Sequence, residues 1–309
     1  MRKIVSFAIA LALVTLLYSC DSSQGHLERA EQMRLKIYEL YDVDQTALLS
    51  ENYPQDAPDQ VTYLANGLPD FKNQYSFLWP YSGTLSMMSA LYEANGLPEC
   101  LRFIENQVLP GLESYFDKSR EPHGYSSYIT VGTSDRFYDD NIWLAIDFVD
   151  LYTLSGEKRY LEKAQQIWKF VMSGYDDKLN GGIYWCEQKK ESKNACSNAP
   201  AAVCALKLFE ATGEREYLAI ATNLYKWVVS WLYDENEGLF NDNVSVLDYK
   251  VNKAKYSYNT GQMIQAAAML YRISNQPHYL EQAQSCAEYA YQRWFKEYDG
   301  QMILESGDV

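Results

Sequence analysis

Apolar residues recur along this chain at helical spacing, and the runs they form are punctuated four times by nearly the same phrase. The phrase reads LYEANGLPECL at 91–101, LYTLSGEKRYL at 151–161, LFEATGEREYL at 208–218 and LYRISNQPHYL at 270–280. Its turn position is Gly96, Gly156, Gly213 and Asn275, at spacings of 60, 57 and 62 residues. Glycine and asparagine tolerate the left-handed backbone of a helix C-cap. Each phrase therefore predicts a helix end, a tight turn and a new helix start.

Each repeat is thus a helical hairpin. The helices before the turn, such as APAAVCALKLFEATG and GQMIQAAAMLYRISN, are rich in small and apolar residues; those after it, such as YLEKAQQIWKFVMSGY and YLAIATNLYKWVVSWLY, are more amphipathic. Small residues let helices approach closely, so the first kind reads as inner and the second as outer. The pattern predicts nine helices, over about 27–47, 82–96, 97–117, 139–155, 157–173, 198–212, 214–232, 258–273 and 276–296. Long loops rich in Gly, Asp, Asn and Tyr join the hairpins at 176–198 and 234–259, and loops of that length usually carry function. Residues 48–75 read as an irregular segment. Common helical solenoids repeat every 33 to 47 residues or so. The longer unit here, with its inner and outer helices, fits an all-α (α/α) toroid better.

The first 19 residues, MRKIVSFAIALALVTLLYS, have two basic residues and an apolar run too short for a spanning helix. Followed by Cys20, they resemble a bacterial lipoprotein signal, with Cys20 the acylated mature N-terminus. The expectation is a lipid-tethered envelope protein of the outer membrane, on its periplasmic or outer face, with residues 20–309 as a single domain. The formal charge is −14, and loss of Arg2 and Lys3 with the leader leaves 25 basic against 41 acidic residues, or −16. Such a surface repels phosphate backbones and anionic head groups, which argues against nucleic acid and suits a neutral or cationic partner. The chain is expected to be monomeric.

Cys100, Cys204 and Cys286 sit in helical apolar patterns and read as small buried hydrophobes, whereas Cys186 and Cys196 flank a polar loop and are candidates to pair. With three histidines and no HxxE or CxxC spacing, neither a transition metal nor another cofactor is expected.

Asp139 and Asp140 stand side by side where the helical pattern of 139–155 begins. One reading is a helix cap with a solvated neighbour, since aspartate is favoured there. The other is a coupled acid pair, in which the helix dipole favours ionisation of one carboxyl and that charge helps its neighbour keep a proton. Three stretches bear on the choice: DDNIWLAIDFVDLYTLSGEKRYLEKA (139–164), GGIYWCEQKKESKNACSNAPAA (181–202) and YSYNTGQMIQAAAMLY (256–271). In that order they resemble glycoside hydrolase family 76, the endo-α-1,6-mannanases, over most of 75–309.

The resemblance implies an (α/α)6 barrel with its groove at the ends of the inner helices, and retaining hydrolysis of internal α-1,6-mannosidic bonds in mannan. It implies Asp139 as nucleophile and Asp140 as general acid/base. Two departures stand out. Thr260 takes the place of an expected glutamine, and the chain stops at Val309 where a relative would continue through further helices. The barrel is accordingly expected to be incomplete at its C-terminal end.

Sugar subsites want flat apolar faces and amide or phenol groups. Tyr138, Trp185, Asn194, Asn198, Tyr258 and Asn259 occupy loop or helix-start positions suited to lining such a cleft. Packing is the rival role for the aromatics, and helix capping for Asn198 and Asn259. Trp143, Trp168, Trp227 and Trp231 read as packing residues, and Trp79 as either. Arg136 and Lys193 are candidates to pair with a carboxylate. Two other readings keep part of this picture: a non-catalytic mannan-binding lipoprotein, or another helical-barrel enzyme such as an unsaturated-uronyl hydrolase or a sugar epimerase. An epimerase would want histidines at the groove, and His26, His123 and His278 do not recur at inner-helix starts.

Overall fold

All four turn positions end a helix in left-handed backbone: Gly96 at φ 64°, Gly156 at 73°, Gly213 at 76° and Asn275 at 55°. Each cap N–H donates to the carbonyl of an aromatic residue four positions back, Tyr92, Tyr152, Phe209 or Tyr271, which gives that carbonyl a partner past the helix end. The computed structural model describes residues 25–56, 64–65, 74–298 and 301–304; the leader and Cys20 lie outside these. Among the described residues, no helix is long and apolar enough to cross a membrane.

The chain divides into two compact units. The first contains α1 (25–41), α2 (Leu78–Asn95), and a continuous helical run made of α3 (Pro98–Phe103), a π-helical segment (Ile104–Val108) and α4 (Leu109–Glu113). Tyr38 meets Phe103 edge-on at 5.0 Å, and the Tyr81 hydroxyl donates to Ala47 O at 2.6 Å over a bare Gly111, where any Cβ would collide with it. Helix α2 begins at Leu78, four residues ahead of the sequence expectation. Pro80 falls in its first turn, where no intrahelical N–H bond is needed.

The second unit holds three hairpins: α5 (Tyr138–Ser155) with α6 (Lys158–Met172), α7 (Ala195–Thr212) with α8 (Arg215–Leu232), and α9 (Ser257–Ser274) with α10 (Pro277–Trp294). Helix α7 packs on both α5 and α9, so these three are the inner helices. Burial follows: 13 of the 18 residues of α7 are buried, against 6 of the 15 in α6. The alanines at 199, 201, 202 and 205 are fully buried, which is the close approach that the small-residue pattern called for.

The loops leading into the inner helices are each closed by a buried cation twenty residues before the helix C-cap: Arg136, Lys193 and Lys255. Arg136 pairs with Glu187, lies 3.6 Å from Asp117 and donates to Pro122 O at 3.1 Å. Lys193 donates to Asp176 Oδ1 at 2.6 Å and to the carbonyls of Asp176, Lys178 and Gly181. Lys255 donates to Asp234 Oδ2 at 3.1 Å and Asn241 Oδ1 at 3.0 Å. A charge buried this deeply must be fully partnered, so each cation dictates the path of its loop. Short antiparallel pairings complete these loops, with Ser192–Asn194 beside Asn243–Ser245 and the latter beside Val251–Asn252.

Replacing Lys193 by Met leaves three loop carbonyls without their donor. The expected loss is on the order of 3 kcal/mol in urea unfolding, the scale of a broken buried ion pair. Amide exchange is expected to rise at 176–194 and not in the α9–α10 hairpin; unchanged exchange in the loop would contradict the clamp.

Candidate active site

Helix α5 starts after Phe137, so Tyr138, Asp139 and Asp140 are its first three residues. Neither aspartate caps the helix: the cap residue is Phe137, with no side-chain cap bond. The approach to α5 is held by the 181–194 loop, because Tyr138 N–H donates to Trp185 O at 2.9 Å, Glu187 N–H donates to Arg136 O at 3.0 Å, and Phe137 bridges to Cys186. That pairing brings the Trp185 side chain to the acid pair, where its indole N–H donates to Asp139 Oδ2 at 2.9 Å.

The two carboxyls stand side by side and are both shifted upward, to different degrees. Burial pushes Asp139 up to about 6, against the opposing pull of the nearby Cys196 thiol, the Trp185 N–H and the backbone amides of the first turn. Burial therefore outweighs the helix N-terminus, which the sequence reading expected to lower this group. Asp140 is held well above the usual carboxylate range by burial and by the charge of Asp139 beside it. Between the two transitions the pair holds one proton, on Asp140.

Counting back from the C-caps exposes a threefold internal equivalence. Asp139, Cys196 and Tyr258 are the second residues of α5, α7 and α9; Asp140, Ser197 and Asn259 are the third; Asn141, Asn198 and Thr260 are the fourth. The fourth position is a peg for the loop. Asn141 Oδ1 accepts from Tyr125 N at 2.7 Å, Asn198 Oδ1 from Ile183 N at 2.7 Å, and Thr260 Oγ1 from Phe240 N at 3.4 Å. The second and third positions face a common polar gap. Among the described residues, nine buried side-chain atoms lack a partner of hydrogen-bonding geometry, and five belong to Asp139 (Oδ1), Asp140 (Oδ2), Ser197 (Oγ) and Asn259 (Oδ1 and Nδ2). Orphaned polar atoms are scarce in folded proteins, so five of them at the starts of adjacent helices mark a place built for a hydroxylated guest or ordered water.

The expected cleft residues divide. Asn259 is fully buried with both polar atoms unengaged, and Tyr258 is half-exposed, stacked on Tyr256 at 5.7 Å, with Cys196 and Asp139 close enough to act on its hydroxyl. Tyr138, by contrast, is 1% exposed and stacks on Phe170 at 5.1 Å, so its ring packs the hairpin instead of lining a cleft. Asn198 is neither a free amide nor a cap, since its Nδ2 also donates to the carbonyls of Ile183 and Asn194. Asn194 is buried and accepts from Ser192 Oγ at 2.7 Å. Cys186 and Cys196 are both free. Trp227 and Trp231 donate to the same Leu179 carbonyl and Trp168 is buried, as packing residues should be, while Trp79 is 54% exposed. Ser197, the place of Cys196 beside the acids and the peg role of Asn141, Asn198 and Thr260 escaped the sequence reading, although alignment of the repeats on their C-caps would have put them in register with the acids.

The raised carboxyls make a stability prediction. A carboxyl whose folded pKa exceeds its unfolded value stabilises the fold below the unfolded value and loses that contribution as pH rises through the folded one. Asp140→Asn should therefore unfold at a higher temperature than the parent at pH 8, the gap narrowing toward pH 4. The expected slope is about 1.4 kcal/mol per pH unit while one proton separates the two states. A gap that widens on acidification would contradict the burial of this charge.

Comparison with known proteins agrees with the geometry. The sequence pattern of Glycosyl hydrolase family 76 matches residues 28–307. The fold superposes on the family 76 mannosidase Bt3792 of Bacteroides thetaiotaomicron with TM-score 0.76 and 30% identity, covering 90% of this chain and 76% of that one. It also superposes on an α-1,6-mannanase of Salegentibacter sp. HEL1_6, crystallised with α-1,6-mannotriose as an inactive variant bearing asparagine in place of two adjacent aspartates. Here the TM-score is 0.69 and the identity 25%, over 86% of this chain and 70% of that one. A mannan endo-1,6-alpha-mannosidase of Candida albicans is 28% identical over 156 residues, 48% of this chain but only 34% of that protein. The all-α, (α/α)-toroid class expected from the repeats is that of these structures. With the match running through nearly all of the described helices, the chain belongs to glycosyl hydrolase family 76.

Proposed function

We propose that this chain is an endo-α-1,6-mannanase acting with retention, with Asp139 as nucleophile and Asp140 as general acid/base. The observation that carries the reading is the pair itself: two adjacent carboxyls, Asp139 half-buried and raised to about 6, Asp140 buried and held well above the ordinary range. Supporting it is the Salegentibacter relative, whose inactive form is altered at two adjacent aspartates and holds an α-1,6-mannotriose.

In the first step Asp139 attacks the anomeric carbon while Asp140 gives its proton to the departing oxygen, leaving a mannosyl ester on Asp139. In the second, Asp140, now ionised, takes a proton from water, which displaces the ester and restores both groups. Ionised Asp139 and protonated Asp140 coexist between the two transitions, so kcat/KM should trace a bell whose acid limb lies near pH 6. Asn259, Ser197 and Tyr258 supply amide, hydroxyl and aromatic surface for the sugar in the same gap. A lipid on Cys20 would hold the enzyme at the envelope.

The test is reducing-end release from linear α-1,6-mannan by the protein and by its Asp139→Asn and Asp140→Asn variants. Each variant is expected to lose about 10³-fold or more in turnover. Near-parental turnover in either variant removes that residue from its role, and parental protein that retains mannan without releasing ends would make it a binding protein.

A further inference from the structure

We infer that Trp185 is a positioning residue for Asp139: its indole N–H fixes Oδ2 and leaves Oδ1 as the oxygen that attacks the sugar. This rests on the reading of Asp139 as nucleophile. It departs from the role that the sequence suggested for Trp185, a platform for a sugar ring.

The carboxylate torsion of an aspartate is soft and nearly twofold, so without a directional contact its two oxygens exchange places. In this site Oδ2 accepts from Trp185 Nε1 at 2.9 Å, while Oδ1 is buried with no partner of hydrogen-bonding geometry, the Cys196 thiol lying near the same carboxyl. A nucleophilic oxygen needs a free lone pair, and Oδ1 keeps one. The donor is itself held firmly. The Trp185 carbonyl accepts from Tyr138 N–H at 2.9 Å, its N–H donates to Ser192 O at 3.2 Å, and its ring rests against Phe137 with centroids 4.9 Å apart. Arg136 just before α5 and Lys193 at the end of the loop clamp the two strands that carry donor and acceptor. A donor fixed in this way holds the carboxyl in one orientation, so the attacking oxygen stays in place.

Other titratable groups also face Asp139: Asp140 from its own helix, Cys196 from α7, Tyr258 from α9 and Cys186 from the loop. Burial holds Cys186 protonated up to about 12 and Cys196 well above its usual value, so both stay neutral where Asp139 titrates. Asp140 keeps its proton there as well. Two further carboxyls lie around these groups, Asp242 acting on Cys196 and Tyr258 and Asp135 acting on Cys186.

Trp185→Phe keeps an aromatic ring and removes the N–H. On linear α-1,6-mannan the expected result is a kcat about 10²-fold lower, the scale of a misplaced reacting group. KM should stay within about twofold, and the acid limb of kcat/KM should move to higher pH because the ionised form of Asp139 has lost a donor. A raised KM with kcat and acid limb unmoved would overturn the proposal in favour of a sugar platform. Asp139→Asn, assayed in parallel, separates the two readings: if it stays active the nucleophile assignment fails, whereas if it is inactive and Trp185→Phe behaves like the parent, only the positioning role fails. Should Trp185→Phe not fold, nitrogen-15 NMR of the parental protein decides. The Trp185 indole signal should titrate with Asp139 near pH 6 and lose that transition in Asp139→Asn; an indole signal blind to pH there would overturn the inference.

Discussion

Three buried cations hold this architecture in place. Arg136, Lys193 and Lys255 recur at one position of the repeat, and each gathers acids or carbonyls from the loop leading into its inner helix. An unpartnered charge at such depth would cost several kcal/mol, so the loop has one acceptable path and the first turn of the helix has one acceptable start. What the clamps fix is the floor of the site: the second, third and fourth residues of α5, α7 and α9. Loops of this length would otherwise wander, and a reacting group displaced by 1 Å can lose about 10²-fold in rate.

On that repeated floor, chemistry arises by divergence. The fourth residues, Asn141, Asn198 and Thr260, all accept a loop N–H, so they are scaffold in every repeat. The second and third residues differ: Cys196 with Ser197 and Tyr258 with Asn259 are neutral near pH 7, and Asp139 with Asp140 alone bring charge. These neighbours bring no charge to offset desolvation, and burial is the leading cause of both raised transitions. The same burial makes the pair destabilising at neutral pH. A scaffold clamped by ion pairs and filled with close-packed alanine supplies the compensating stability.

Helix ends were the most legible part of the sequence, since a glycine or asparagine followed by polar residues has a local physical cause. Helix starts were less so. Helices α2 and α7 begin four and three residues earlier than expected; Pro80 falls in a first turn needing no N–H, and Pro200 is carried inside α7. The acid pair was legible because adjacency and spacing are written in the chain. Partners are not: that Asn198 engages Ile183, that Tyr138 stacks on Phe170, or that the Trp185 N–H meets Asp139 depends on which strand lies beside which. Thr260, which read as a departure at a sugar contact, is the loop peg of its repeat, and only superposition of the three hairpins reveals it.

Adjacent acids that share one proton should cut a glycosidic bond twice inverted and therefore retained. Proton NMR of the first sugar released from linear α-1,6-mannan, recorded before mutarotation, tests this directly. The account requires the new reducing end to appear as the α-anomer; a β-anomer at early times would mean direct attack by water and would contradict the covalent step on Asp139.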